Sequence, residues 1–317
     1  MLEIKKFENF KTPCLKLNII LIAYNHEKYI REAIDSILMQ NLDFEYKIIV
    51  ADDCSSDNTL EIIKEYANKH HEKFKLLENS INLGVTKNYQ RAFQACTAEY
   101  IAILEGDDYW ISPQKIKKQI NFLDNNKNFS FCFHRFIGHD EGTNHVFASN
   151  NPFKDSIIID TKTLIENNFI GNFSTCVYRY EIIKQLPLKL FEMKAYDWIV
   201  NILCSQYGDI GFLNEFLSVY RQHDEGVWSS KSKLQKKIMT LKYIDEYDKF
   251  LNFKYNQQFE LAKLTLATYL PKEKCEDLSQ DKEFRLLSIL KRFKRIISLL
   301  TPPIIIIFLK TILRKKD

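Results

Sequence analysis

Glycine and proline are scarce, at eight and seven residues in a chain of 317. That excludes a collagen-like, low-complexity or repeat protein. Cysteines number seven and stand singly: Cys14, Cys54, Cys96, Cys132, Cys176, Cys204 and Cys275. No CxxC pair occurs, and an odd count cannot close completely into disulfides, so reduced thiols are expected. The opening MLEIKKFENFKTPCLKL has no apolar core of secretory length, so neither a signal nor a targeting peptide is expected. The apolar stretch Ile296–Leu309 is only 14 residues long and is interrupted by Pro302-Pro303. A spanning helix needs roughly 20 apolar residues, so this stretch does not cross a membrane alone. The body of the chain also lacks positive charge. Residues 291–317 hold eight basic side chains against Asp317, a net +7, and the whole chain is only +4, so the remainder is −3. A nucleic-acid-binding body is excluded, and the basic tail suits an anionic surface instead.

Hydrophobic residues make up 45% of the sequence, enough for a sizeable core. Residues 17–23 (LNIILIA) form a continuous apolar run, as a buried parallel strand requires. Residues 27–39 carry a helical apolar stripe. Residues 46–51 (YKIIVA), 74–77, 100–104 (YIAIL) and 129–133 predict further strands, and 60–66, 85–95 and 113–123 predict helices, with Asp57 as an N-cap and Pro113 at the start of the last. Alternating strands and helices make a doubly wound, mostly parallel sheet the economical fold. Short strands are expected at 157–159, 176–178, 210–213 and 216–220, a helix at 197–205, and a helical extension over 231–290.

Ligands bind such sheets outside the carboxyl ends of the strands. Two acidic clusters fall there: Asp52-Asp53 after the second strand, and Glu105-Gly106-Asp107-Asp108 after the fourth. Carboxylates gathered at one sheet edge repel one another unless a cation or a donor-rich ligand neutralises them. Adjacent aspartates suit a hard divalent cation, which in turn binds a diphosphate. A single DD pair is usually only a turn or cap device; two at equivalent positions are harder to dismiss.

The segments IILIAYNHEKYIREAIDSIL (19–38), VADDCSSDNT (50–59), NLGVTKNYQRAF (82–93), ILEGDDYW (103–110), FCFH (131–134), AYDW (195–198) and VYRQHDEGVWS (219–229) occur in this order. Together they resemble family 2 glycosyltransferases of the GT-A fold, over roughly residues 17–230. The resemblance implies a Rossmann-like doubly wound α/β domain over 1–230; the residues themselves add the helical extension over 231–290 and a membrane-associating tail over 291–317, for which a buried C-terminal helix is the alternative. It implies that Ala23, Tyr24 and Asn25 cradle a nucleotide base, and that Asp52 and Asp53 contact base and ribose. Lys87 and Asn88 would face the nucleotide, Gly106 would let the backbone approach the ligand, and Arg221 would meet phosphate. Asp107 would touch ribose or metal, Asp108 would be the main ligand of Mn2+ or Mg2+, and His223 would be an additional one. Asp197 would be the general base. His134, Asn172, Ser174, Thr175 and Trp228 would face the acceptor.

Structural readings compete for several of these residues: packing for Tyr24, a solvated surface for Lys87 and Asn88, and a helix N-cap for Asp197. Three departures bear on donor choice: Cys54 where glycine is common, Glu105 in place of an aspartate, and Asp224-Glu225 in a turn often rich in glycine. The chain lacks a QxxRW motif and multiple spanning segments, which implies transfer of a single sugar rather than processive synthesis. The expected partners are a nucleotide-sugar, a UDP-sugar first, a glycan or lipid-linked acceptor, and a membrane surface. The expected location is the inner face of a bacterial membrane, on its cytoplasmic side. A catalytically inactive, membrane-tethered binding module is the alternative. A nucleotidyltransferase is disfavoured because the AYNHEKY turn has no glycine.

Overall fold

The computed structural model describes residues 15–149, 159–194 and 197–267. The expectations for 268–290 and for the tail lie outside the described residues. The chain divides into two compact units. The first runs to Thr161 and resumes over Asn168–His223; the second comprises Lys162–Asn167 and the chain from Asp224 onward.

The first unit is built on β1 (Leu17–Ala23), β2 (Tyr46–Asp52), β3 (Phe74–Leu76) and β4 (Tyr100–Glu105). All seven residues of β1 are buried, because it lies between β2 and β4 with its side chains covered on both faces. The connecting helices are α1 (Ile30–Leu38), α2 (Thr59–Lys69) and α3 (Val85–Gln94). The first buries Ile30, Ala33, Ile34 and Ile37 along one stripe, the residues its spacing selects. The parallel register aligns Ala23 with Asp52 and Ile22 with Glu105. The turns following β1, β2 and β4 therefore open at one sheet edge, which brings the two acidic clusters to the same side.

Beyond β4 the pairing becomes mixed. The remaining strands are β5 (Tyr109–Trp110), β6 (Phe129–Asp140), β7 (His145–Ala148), β8 (Val177–Arg179) and β9 (Asp209–Gln222), with helices α4 (Lys115–Asn125), α5 (Thr161–Glu166), α6 (Tyr180–Ile183) and α7 (Asp197–Ser205). The strand order is β3-β2-β1-β4-β8-β6-β9-β5, with β7 on β6. The α/β expectation holds, with two differences in extent. The strand expected at 129–133 continues to Asp140, and the two expected at 210–213 and 216–220 are one strand. The polar, exposed pair Asn214-Glu215 lies between the two expected ranges, and the sheet takes it up as a register irregularity opposite His134–Phe136. Of the strand expected at 157–159, only Ile159 is described, and it makes a single bridge to Ile210. Helix α4 begins two residues after Pro113.

In the second unit, α8 (Lys233–Phe250) opens with a capping box in which Ser232 and Gln235 satisfy each other's backbone N–H groups. It turns through Asn252 and Phe253, both at positive φ, into α9 (Asn256–Ala267). Among the described residues no helix is long and apolar enough to cross a membrane.

Candidate active site

The turns after β1 and β2 are laced together by their own polar groups. The Asn25 backbone N–H donates to Ser55 Oγ at 2.9 Å, and Asn25 Oδ1 accepts from the Ser56 N–H at 2.8 Å. The His26 N–H donates to Thr59 Oγ1 at 2.7 Å, and the Glu27 N–H to Asp57 Oδ2 at 3.0 Å. Asp52 accepts from the N–H and hydroxyl of Ser55. The turn passes through Cys54 at φ 61°, a left-handed conformation that explains why glycine suits this position. Asp53 accepts from the N–H groups of Leu83 and Gly84, each at 2.8 Å. Asn88 is buried and donates to the Ala51 carbonyl at 2.8 Å. Its Oδ1 accepts from Arg91, which also donates to the carbonyls of Leu77 and Asp52. The polar groups of Asp52, Asp53 and Asn88 expected to touch nucleotide are thus engaged within the protein. Ala23 is buried beneath them, Tyr24 is 44% exposed, and the exposed Lys87 reaches only Gln90.

The turn after β4 holds the charged centre. Asp107 Oδ2 lies 3.1 Å from His223 Nε2 and 3.9 Å from His26 Nε2. Burial alone would raise the Asp107 carboxyl, but the two imidazoles more than offset it and hold it below its ordinary value. Asp108 differs. It has no exposed surface; its Oδ2 accepts from Ser174 Oγ at 2.6 Å and its Oδ1 from the Arg221 N–H at 3.0 Å. Burial, followed by the charges of Asp107 and Glu105, pushes its carboxyl well up. Asp108, expected as the main metal ligand, and Asp107 therefore differ in what their oxygens meet. The oxygens of Asp108 are engaged inside the protein, while those of Asp107 face the two histidines. Glu105, beside the Tyr89 hydroxyl at 2.9 Å, is pushed by burial to about 8.

Arg221 is likewise engaged within the protein. Its guanidinium donates to the Asp107 carbonyl at 2.8 Å, pairs with Glu32 and, through Nε, with Glu141 at 3.2 Å, and lies over the Tyr109 ring at 4.4 Å. Those partners leave it bracing the acidic turn rather than reaching for phosphate. Gly106 has a reason other than ligand approach. A Cβ there would meet His26 Nδ1 at 2.8 Å and the Ile22 carbonyl at 3.0 Å.

Asp197 opens α7, and its Oδ2 is buried with no hydrogen-bond partner among the described residues. Burial pushes its carboxyl up to about 7. Three residues expected at the acceptor, His134, Ser174 and Thr175, have no exposed surface. His134 Nδ1 lies 2.8 Å from the Arg135 carbonyl, Ser174 holds Asp108, and Thr175 donates to the Asn172 carbonyl, so all three are engaged within the protein. Asn172 is buried, and its carboxamide has no partner among the described residues. Trp228 belongs to the second unit.

Several residues at the centre carried little signal. His26 is marked in the sequence only by its place in the first strand-end turn. Tyr29, Glu32 and Glu141 come together only by folding: Tyr29 donates to Glu141 Oε2 at 2.9 Å and its ring lies 4.7 Å from that of His223.

A family model described as Glycosyl transferase family 2 matches residues 18–186. The chain belongs to this family. It is 34% identical over 216 residues to the uncharacterised protein Rv1520 of Mycobacterium tuberculosis, covering 68% of this chain and 61% of that one. It is 30% identical over 196 residues to the poly(ribitol-phosphate) beta-N-acetylglucosaminyltransferase TarS of Staphylococcus aureus, covering 57% of this chain and 32% of TarS. The chain thus spans less than two thirds of the length of either relative. A crystal structure of TarS 1-349 with UDP-GlcNAc superposes with a TM-score of 0.60 at 20% identity, over 82% of this chain and 77% of that one. The mannosyltransferase PcManGT of Pyrobaculum calidifontis, with GDP-Man and Mn2+, gives 0.53 at 13% identity, over 89% and 85%. These likenesses show a shared GT-A fold.

Proposed function

We propose that this chain moves one sugar from a nucleotide-sugar to a hydroxyl of a bacterial cell-surface glycan or lipid-linked acceptor, in one inverting displacement that requires Mn2+ or Mg2+. The observation that carries the reading is the convergence of His223 and His26 on one oxygen of Asp107. A carboxylate oxygen and an imidazole nitrogen suit Mn2+. Among the described residues no group of three or more such side chains encloses an ion by itself, so a cation here would also draw on diphosphate oxygens and water. Asp107 and His223 would hold it, and it would neutralise charge on the departing diphosphate. Asp197, buried and unpartnered at one oxygen, takes the proton of the acceptor hydroxyl as that oxygen attacks the anomeric carbon.

The TarS and PcManGT complexes hold donors with different nucleotides, UDP and GDP. A UDP-sugar is the first candidate here, on the strength of sequence likeness to TarS. The net +7 of residues 291–317 around an apolar stretch supports attachment to the anionic inner face of the membrane.

The test is a thermal-shift panel of UDP-, GDP-, CMP- and dTDP-sugars, each with and without Mn2+. A ligand of the native state stabilises by about 2.7 kcal/mol at 100 times its Kd. A metal-dependent shift with one nucleotide class is expected. A folded sample that responds to none of them would sink the reading.

A further inference from the structure

The acceptor must reach Asp197, yet the buried His134, Ser174 and Thr175 cannot meet it. Another surface lies on the same sheet. In the β6–β7 hairpin, Gly138 pairs with Phe147 and Asp140 with His145. On the other side of β6, Gly138 pairs with Tyr220 of β9. Register partners project from the same face, so His145, Phe147 and Tyr220 share one. A Cβ on Gly138 would lie 2.0–2.4 Å from carbons of the Phe147 ring. The ring therefore lies directly against the strand, and only glycine leaves room for it. The rings of His145 and Phe147 are 6.1 Å apart and only 18° from parallel. His145 is exposed, and Phe147 and Tyr220 are half-buried.

The row ends at the charged centre. Tyr220 is followed directly by Arg221, whose N–H donates to Asp108 Oδ1 at 3.0 Å, and burial and the carboxylates there hold the Tyr220 hydroxyl up. The hairpin is also fastened to the acidic turn, since Glu141 bonds both Tyr29 and Arg221.

We propose that His145, Phe147 and Tyr220 form a platform that takes a pyranose ring of the acceptor glycan by its apolar C–H face and leads its hydroxyl toward Asp197. The inference rests on the glycosyltransferase reading. The negative face of an aromatic ring attracts the weakly positive C–H groups of a sugar. Near-parallel rings on an open sheet face suit a pyranose better than an acyl chain, which needs an enclosed groove. Asp140, which pairs with His145 on the same face, supplies a polar group at the margin that suits hydroxyls.

The experiment is saturation-transfer NMR on the full chain with methyl β-glucoside and methyl β-N-acetylglucosaminide, with UDP and Mn2+ present. Saturation of H1, H3 and H5 is expected for the native chain. Phe147→Leu and His145→Ala should each weaken binding roughly 2- to 10-fold, and Phe147→Trp should retain it. His145 is exposed, so its variant tests the idea without risk to the core. Equal binding by the native chain and Phe147→Leu, or no pyranoside signal in the native chain, overturns the platform. UDP binding in the same samples reports the donor reading separately. If UDP fails to bind while the pyranoside signals follow the ring substitutions, the donor reading falls and the platform stands.

Discussion

Asp107 and Asp108 are neighbours in the chain and differ in what surrounds them. Asp107 faces two imidazoles, whereas Asp108 accepts from Ser174 and from the Arg221 N–H. Asp107→Asn should therefore cut transfer by about 10²-fold or more with little change in Tm, because on the proposed reading it removes charge where the diphosphate would be held. Asp108→Asn places an amide donor against donors, so it should lower Tm as well as activity. Turnover and melting of the two variants, measured side by side, separate the roles; equal losses of Tm would refute the distinction. In the proposed role as base, Asp197 would set the pH dependence. Its carboxyl is raised by burial to about 7 and acts as base only when ionised. kcat/KM should climb with pH up to about 7 and level off above. Asp197→Asn should lose the limb and about 10²–10⁴-fold in rate. A flat profile between pH 5 and 8 would remove Asp197 from that role.

At the scale of elements, the β6–β7 hairpin reaches across to the acidic turn through one side chain. Glu141 accepts from Tyr29, whose ring lies against His223, and pairs with Arg221, which donates to the Asp107 carbonyl. Glu141→Gln keeps the shape and loses the charge, so the donor and metal KM should rise by about 10–100-fold, as for other partners that orient metal ligands. Unchanged KM values would show that the hairpin is not coupled to the site. Helix α4 carries a different tension. Lys115 is fully buried, its Nζ 3.9 Å from the Trp110 ring centroid and without a hydrogen-bond partner among the described residues. Burial pushes its amine from 10.5 down to about 7. Between those values the unfolded chain binds a proton that the folded one does not, so this group makes stability rise with pH from about 7 to 10.5. Lys115→Met should be more stable near pH 7, by on the order of 1–3 kcal/mol, and should lack that rise. Urea titrations of both proteins at several pH values would show it.

At the scale of the whole molecule, charge is divided between an acidic body and a basic tail. Each basic residue near an anionic bilayer contributes roughly 1 kcal/mol, and the effect fades with salt. The full chain should sediment with phosphatidylglycerol vesicles and not with phosphatidylcholine vesicles. Replacing Lys291, Arg292, Lys294 and Arg295 by glutamine should weaken binding at least about tenfold. Equal sedimentation with both lipids would argue that charge does not drive attachment.

The strands β1, β2 and β4 were legible in the sequence because a strand covered on both faces must be a continuous apolar run. The acidic turns were legible because a parallel sheet places its strand ends along one edge. Asp107 could be picked out by type and place, and Asp197 only through the family resemblance. Tertiary structure alone decided which carboxylates face outward, because that depends on partners remote in sequence. Ser174 and the Arg221 N–H occupy Asp108, the loop at Leu83–Gly84 occupies Asp53, and Glu32 and Glu141 occupy Arg221. It alone joined 210–213 to 216–220, since a bend at Asn214-Glu215 looks like a turn until a paired strand absorbs it. Local pattern records burial and periodicity; which oxygen stays open is a property of contacts between segments as far apart as Asp108 and Arg221.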